Sequence, residues 1–162
     1  MTLVVLLGGA RSGKSSLAVT LAAEAAAPVT YIATGEARDD EMAARIEAHR
    51  RERPLDWTTV EEPVDLRGAI ESAPASSTVV VDCLSLWVAN VLERGAEPDD
   101  LGPVAATRSS LTIAVSNEVG LGIVPVNELA RRYRHILGRV NAAWVAASDE
   151  AFFVVAGRRI PL

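Results

Sequence analysis

Gly8-Gly9-Ala10-Arg11-Ser12-Gly13-Lys14-Ser15 matches the phosphate-binding P-loop pattern G-x-x-x-x-G-K-[ST], and its surroundings give the pattern physical meaning. Ahead of it, Leu3-Val4-Val5-Leu6-Leu7 is a short apolar run that reads as a buried strand. Behind it, Ser16 to Glu24 is rich in Ala and Leu and reads as a helix. Strand, glycine loop and helix N-terminus in this order aim backbone N–H groups and the positive end of a helix dipole at phosphate. Lys14 is then placed to reach the β- and γ-phosphates, and the Ser15 hydroxyl to ligate Mg²⁺. An ordinary glycine-rich turn would leave the Lys-Ser pair unexplained. The stretch predicts a protein that binds a nucleoside triphosphate.

Working outward, apolar β-rich runs alternate with helical patterns. Val29–Thr34 reads as a second strand, and Asp39-Asp40-Glu41 opens a helix that runs to about Arg51, with acidic residues where the dipole favours them. Arg53-Pro54 ends it. Trp57–Glu61 is a brief extended segment, Val64–Ser72 a short helix, and Thr78–Asp82 a buried strand ending in a carboxylate. Leu84–Arg94 continues as a helix, and Gly95–Pro103 is expected to be an irregular surface loop. Leu111–Ser116 is a strand. Asn127–Ser148 is a long helix with Leu129, Tyr133, Ile136, Leu137, Val140 and Trp144 on one stripe. Ala151–Gly157 reads as the last strand, and the tail from Gly157 to Leu162 has no evident role. Apolar strands separated by helices predict one α/β domain over residues 1–162, a mostly parallel sheet with helices on both faces, of the RecA-like P-loop NTPase kind. Sites in such sheets lie at the carboxyl ends of the strands, which singles out the loops after Leu7, Thr34, Asp82 and Ser116.

A chain of 162 residues carries one domain with a sizeable core. The net charge of −5 argues against a protein that grips nucleic acid with its whole surface, although Arg50, Arg51 and Arg53 form a local basic cluster suited to nucleotide phosphates. The lone Cys83 excludes an intrachain disulfide and points to a reducing cytoplasm. No apolar run approaches the ~20 residues that span a bilayer, and the N-terminal run lacks the basic start of a signal peptide.

Asp82 ends its strand where a P-loop enzyme carries its Mg²⁺-associated carboxylate, the Walker B position. His49 follows Met42 and Ile46 on one helix face and points inward or toward a cleft. A histidine in that setting is by itself more often packed than catalytic. His135, among Arg131, Arg132 and Arg134, reads as surface or interface. The Asn117–Pro125 loop leaves a strand end, where Gly120 and Gly122 permit close backbone approach. Asn117 and Glu118 project there as candidates for substrate or Mg²⁺ contact.

These residues carry a resemblance. The P-loop, Tyr31-Ile32-Ala33-Thr34, Asp39-Asp40-Glu41-Met42-Ala43-Ala44-Arg45-Ile46 leading to His49-Arg50, and Trp57 are similar to the bifunctional adenosylcobinamide kinase / adenosylcobinamide-phosphate guanylyltransferase family. So are Val115-Ser116-Asn117-Glu118-Val119-Gly120-Leu121-Gly122-Ile123-Val124-Pro125 and the later Leu129-Ala130-Arg131 and Gly138-Arg139-Val140-Asn141. The resemblance covers nearly the whole chain.

It implies that adenosylcobinamide is phosphorylated from ATP or GTP, and that His49 then attacks the α-phosphate of GTP to form a guanylyl–histidine. The GMP group passes from there to the corrinoid phosphate, giving adenosylcobinamide-GDP. The resemblance also implies that Thr34-Gly35-Glu36, Arg50-Arg51-Glu52-Arg53, Glu61 and Asp82 line the guanine nucleotide site, and that the protein is a homo-oligomer, a trimer. Glu61 is a candidate to accept both guanine N–H donors, though Glu61 and Glu62 equally read as solvated charges. Asp82 departs from the family's frequent Glu, which keeps the charge and shortens its reach. The alternatives are a small-molecule kinase without the guanylyltransferase half, in which His49 is dispensable, and a regulatory NTPase module. The latter would want a partner-binding tail or basic track that this acidic chain does not show.

Overall fold

The computed structural model describes residues 2–25 and 27–162. Its elements run β1 (Leu3–Gly8), α1 (Lys14–Glu24), β2 (Val29–Ala33), α2 (Asp40–Arg51), β3 (Thr58–Glu61), α3 (Leu66–Ser72), β4 (Thr78–Asp82), α4 (Leu84–Glu93), α5 (Gly102–Ala106), β5 (Thr112–Asn117), α6 (Glu128–Ala147), β6 (Glu150–Val155) and β7 (Arg158–Pro161). They build one seven-stranded sheet in the order β3-β2-β4-β5-β1-β6-β7. Every pairing is parallel except β6 with β7, so the expected doubly covered α/β sheet is present.

Alternation along each buried strand divides the core in two. Leu3, Val5, Leu7, Val79, Val81 and Ala114 face α3–α6, whereas Val4, Leu6, Tyr31, Val80, Ile113 and Val115 face α1. Side chains of successive strand residues point to opposite faces, so near-continuous apolar runs serve both layers. On α6, Ile136, Leu137, Val140 and Trp144 are buried and lock the helix to the sheet. Trp144 is therefore core within this chain and offers no surface to a second subunit. Leu129, expected on the same stripe, is 63% exposed, because it lies in the first turn, before the helix reaches the sheet.

Two expectations are corrected. The Gly95–Pro103 segment is not all surface loop: Leu101 and Gly102 are buried and α5 begins there, with Pro103 in its first turn, a position that proline tolerates. The tail is not inert either. Ala156 and Gly157, both with positive φ, turn the chain back so that Arg158–Pro161 pairs antiparallel with β6. The Gly157 N–H donates to the Ser12 carbonyl at 2.8 Å, which makes this turn a buttress under the P-loop.

Candidate active site

Because β1–β5 are parallel, their C-terminal ends gather Gly8, Ala33, Glu61, Asp82 and Asn117 along one edge. At Gly8 the chain passes so close to β6 that a Cβ would stand 2.3 Å from the Val154 carbonyl oxygen and 2.9 Å from Ser12 Oγ. Only glycine lets the loop leave the sheet there. Gly13, with φ +100, starts α1, whose first turn carries no acidic side chain. The positive helix end thus stays unneutralised for an anion.

Lys14 is buried, and its ammonium donates to the Gly9 carbonyl at 2.6 Å and to Ser12 Oγ at 3.3 Å. Burial holds its pKa below the ordinary lysine value. Arg11, Gly9 and Ala10 are exposed at the loop's crest.

Asp82 is the hub. Ser15 Oγ donates to its Oδ1 at 3.3 Å, the Tyr31 hydroxyl donates to Oδ2, and His49 Nδ1 lies 3.5 Å from the same Oδ2. Burial pushes the Asp82 pKa up, but the His49 contact and the Tyr31 hydrogen bond outweigh it and hold the carboxyl below its usual range. The Asp82 contact in turn raises the His49 pKa against the effect of burial. Tyr31, pushed far up by burial and the Asp82 charge, stays a hydroxyl donor.

His49 reaches this hub from the last turn of α2. Asp39 caps that helix, accepting from Met42 N–H at 2.7 Å, with Asp40 and Glu41 in the first turn and His49, Arg50 and Arg51 in the last. The charge order matches the macrodipole. No residue of α2 is fully buried, so the helix lies over the strand ends rather than in the core. His135, by contrast, is exposed on α6.

The basic stretch after His49 divides. The Arg53 guanidinium stacks 3.8 Å from the centroid of the Tyr31 ring, which Trp57 also stacks upon. Arg50 pairs with Glu61, whereas Arg51 reaches back to Glu47 at 3.4 Å and Glu52 caps the helix end. Thr34 is fully buried and wholly engaged: its hydroxyl donates to the Cys83 carbonyl at 2.7 Å and accepts from Cys83 N–H at 2.9 Å. It pins the end of β2 to the end of β4 and so sets the course of Gly35-Glu36. Glu36 is held by Arg38 and Arg94, each at 2.6 Å, and these contacts lower its pKa. At the end of β5, Glu118 N–H donates to the Gly8 carbonyl at 3.0 Å, and its carboxylate accepts from Gly120 N–H. Asn117 sits opposite Gly8 in the β1–β5 register.

Lys14, Ser15, His49 and Asp82, which the sequence singles out, are thus brought together. Glu36 and Glu61 lie along the same edge but in ion pairs of their own. Tyr31 is the participant that sequence reasoning passed over. Its apolar ring belongs to the core and only its hydroxyl reaches Asp82, and a tyrosine within a strand carries no signal for that.

Chemically, the edge offers phosphate-binding backbone, a buried ammonium, a hydroxyl beside a carboxylate for a hard cation, and an imidazole oriented by that carboxylate. Such a set can polarise a nucleotide phosphate and attack it. Comparison with known proteins agrees. Residues 4–162 match the family described as cobinamide kinase / cobinamide phosphate guanyltransferase. The bifunctional adenosylcobalamin biosynthesis protein CobP of Pseudomonas aeruginosa is 44% identical over 98% of this chain and 95% of its own length. The bifunctional adenosylcobalamin biosynthesis proteins CobU of Salmonella typhimurium and Escherichia coli are each 38% identical over 96% of both chains. With a match that runs from β1 through the last strand and takes in every element of the site, the chain belongs to the cobinamide kinase / cobinamide phosphate guanyltransferase family.

Proposed function

We propose that this chain catalyses both steps its family name describes: phosphorylation of adenosylcobinamide by ATP or GTP, then transfer of GMP from GTP to the product through a guanylyl group carried on His49. The observation that supports this most is the placement of His49. Its Nδ1 faces Asp82 Oδ2 at 3.5 Å, and Ser15 of the P-loop touches the other oxygen of the same carboxylate. A nucleotide seated on the P-loop therefore lies beside the imidazole. With Nδ1 turned to Asp82, Nε2 is the nitrogen free to attack. It bonds to the α-phosphorus of GTP, the bond to the β-phosphate oxygen breaks, and pyrophosphate leaves with the electron pair. The phosphate oxygen of adenosylcobinamide phosphate then attacks the same phosphorus, the P–N bond breaks, and adenosylcobinamide-GDP departs with His49 restored. Imidazole suits both halves because it is nucleophilic when neutral near pH 7.

The Ser15 hydroxyl and the Asp82 carboxylate, 3.3 Å apart, are the oxygen donors that suit Mg²⁺. Among the described residues no group of three or more His, Cys, Asp or Glu could hold a metal. Two protein oxygens match an ion that takes its remaining ligands from water and phosphate. When bound, it would neutralise phosphate charge. Lys14 and the backbone of Gly8–Ser15 grip the phosphates. Gly35, Glu36, Arg50, Arg51, Glu52, Arg53 and Glu61 border the nucleoside side, with Thr34 acting through the segment it anchors. Asn117 and Glu118 face the acceptor. No helix of the described residues is long and apolar enough to cross a membrane. We place the enzyme in the cytoplasm with its nucleotide substrates, acting on a small corrinoid rather than nucleic acid, as a homo-oligomer of three chains.

Incubation with α-³²P-GTP and Mg²⁺, followed by denaturing electrophoresis, tests the reading. An acid-labile, alkali-stable label, absent from His49→Ala, is expected. GTP binding with no label on the wild-type chain would leave a kinase without the second half.

A further inference from the structure

The strand that carries the P-loop, β1, has β5 and β6 as its neighbours. An acceptor attacking a γ-phosphate held by Gly8–Ser15 meets the nucleotide above the ends of these strands. β6 runs out through Val154, Val155, Ala156 and Gly157, none of them ionisable. β5 runs out through Asn117 into Glu118, whose N–H is bonded to the Gly8 carbonyl at 3.0 Å. Glu118 is therefore the one acidic side chain at this end of either flanking strand, and it is fastened to the first residue of the loop.

Its neighbours along the edge are already engaged. Asp82 is shared by Ser15, Tyr31 and His49. Glu36 lies between Arg38 and Arg94, and Glu61 pairs with Arg50. Among the described ion pairs none includes Glu118. Its Oε1 accepts from Gly120 N–H, which leaves Oε2 open at a half-buried position. A general base must come within hydrogen-bond reach of the proton it abstracts, directly or through one water, and a carboxylate oxygen with no other partner can do so. The chain that follows presents Leu121, Ile123 and Val126, each at least 80% exposed. Arg134 donates to the Gly120 carbonyl, and Arg131 donates to the Pro125 carbonyl at 3.1 Å, which ties this segment to α6. That is apolar ground beside Glu118 for the body of a large organic acceptor.

We propose that Glu118 is the general base of the phosphorylation step, an assignment that rests on the two-step reading above. The acceptor O–H bond breaks with its proton passing to Glu118 Oε2, and the oxygen forms its bond to the γ-phosphorus. The bond from that phosphorus to the β-phosphate oxygen breaks, and the nucleoside diphosphate leaves with the electron pair. Glu118 then returns its proton to solvent.

The full chain, the nucleotide, Mg²⁺ and adenosylcobinamide suffice for the test. Glu118→Gln keeps the shape and the acceptor for Gly120 N–H but cannot take a proton. Its kcat for acceptor phosphorylation is expected to fall about 10²–10⁴-fold, with KM for both substrates nearly unchanged. Labelling of its His49 by α-³²P-GTP, in which the acceptor takes no part, should persist and report an intact fold and nucleotide site. Glu118→Asp, which retains a carboxylate, should recover part of the lost rate. Phosphorylation at close to the wild-type kcat, a rise in KM alone, or a parallel loss of His49 labelling would each overturn the assignment. A wild-type chain that neither phosphorylates the acceptor nor becomes labelled would overturn the two-step reading itself, before any variant is made.

Discussion

His49 Nδ1 stands 3.5 Å from Asp82 Oδ2, joining the last turn of α2 to the end of β4 at the mouth of the P-loop. The contact orients the imidazole and couples its protonation to a largely buried carboxylate, so the nucleotide-free protein has a defined pH response. The His49 pKa lies above its ordinary 6.5, so the stability this residue contributes is complete below that value and lost as pH rises through the folded-state pKa. The Asp82 pKa lies below its ordinary 3.8, so its contribution is complete above that value and lost as pH falls through the folded-state pKa. Both are whole between these two ordinary values. Proton NMR of the metal-free chain should show His49 titrating above the ordinary histidine value, and Asp82→Asn should bring the His49 midpoint down. An unmoved midpoint in that variant would refute the coupling.

Tyr31 is 1% exposed and spends its hydroxyl on Asp82. Tyr31→Phe removes a hydrogen bond to a charged group, worth about 1.5–3 kcal/mol. Urea unfolding at neutral pH should show a loss of that order. The Asp82 pKa should rise in the same variant, since one of the donors holding it down is gone.

Glu61 is more than half exposed and paired with Arg50. Exposed pairs contribute about 0–1 kcal/mol, so Glu61→Gln should leave the unfolding midpoint nearly where it was. A carboxylate that accepts two guanine N–H donors leaves them unpaired when it is lost, and the preference for GTP over ATP should then fall on the order of tenfold or more. Nucleotide competition against His49 labelling measures it. Unaltered preference would return Glu61 to a solvated surface charge.

Lys14 is the only lysine of the chain, so an amine-directed reagent has this side chain and the N-terminus as its targets. GTP or ATP should protect Lys14, as peptide mapping would reveal. Lys14→Ala should lower both phosphorylation and His49 labelling by about 10²–10³-fold, the range seen when one charge-stabilising donor is removed. Loss of only one activity would mean that the two steps do not share this loop.

Deleting residues 158–162 removes β7, bares the edge of β6 and frees the turn whose Gly157 N–H holds Ser12. Nucleotide affinity should weaken along with thermal stability. Calorimetric titration with GTP that gives an unchanged Kd would show that the buttress does not reach the phosphate site.

Much of this was legible beforehand, for local reasons. The strands β1, β2, β4, β5 and β6 announce themselves as largely apolar runs, α2 by its acidic start, and the P-loop by a pattern that only a strand–loop–helix can use. Where local signals thin out, reading failed. The five-residue α5 is too short for a helical period to show. β7 is a charged edge strand behind an Ala-Gly turn, which lacks the Asn-Gly or Asp-Gly signature of a two-residue hairpin. Leu129 shares the phase of the α6 stripe but lies a turn before contact with the sheet begins.

From the sequence alone came the α/β class, the nucleotide loop and the family, together with Lys14, Ser15, His49 and Asp82 as the residues on which chemistry would turn. The class, the loop and the strand-end Asp82 are encoded in residues near one another along the chain, in periodicity and motif spacing, whereas His49 was singled out only through the resemblance. The tertiary structure alone decided that Ser15 meets Asp82 across 67 positions, that Tyr31 and His49 share one carboxylate oxygen, and that Glu118 enters no ion pair among the described residues. These follow from the order of strands in the sheet. That order is set by packing between distant segments, and distant packing leaves no periodic mark on the sequence.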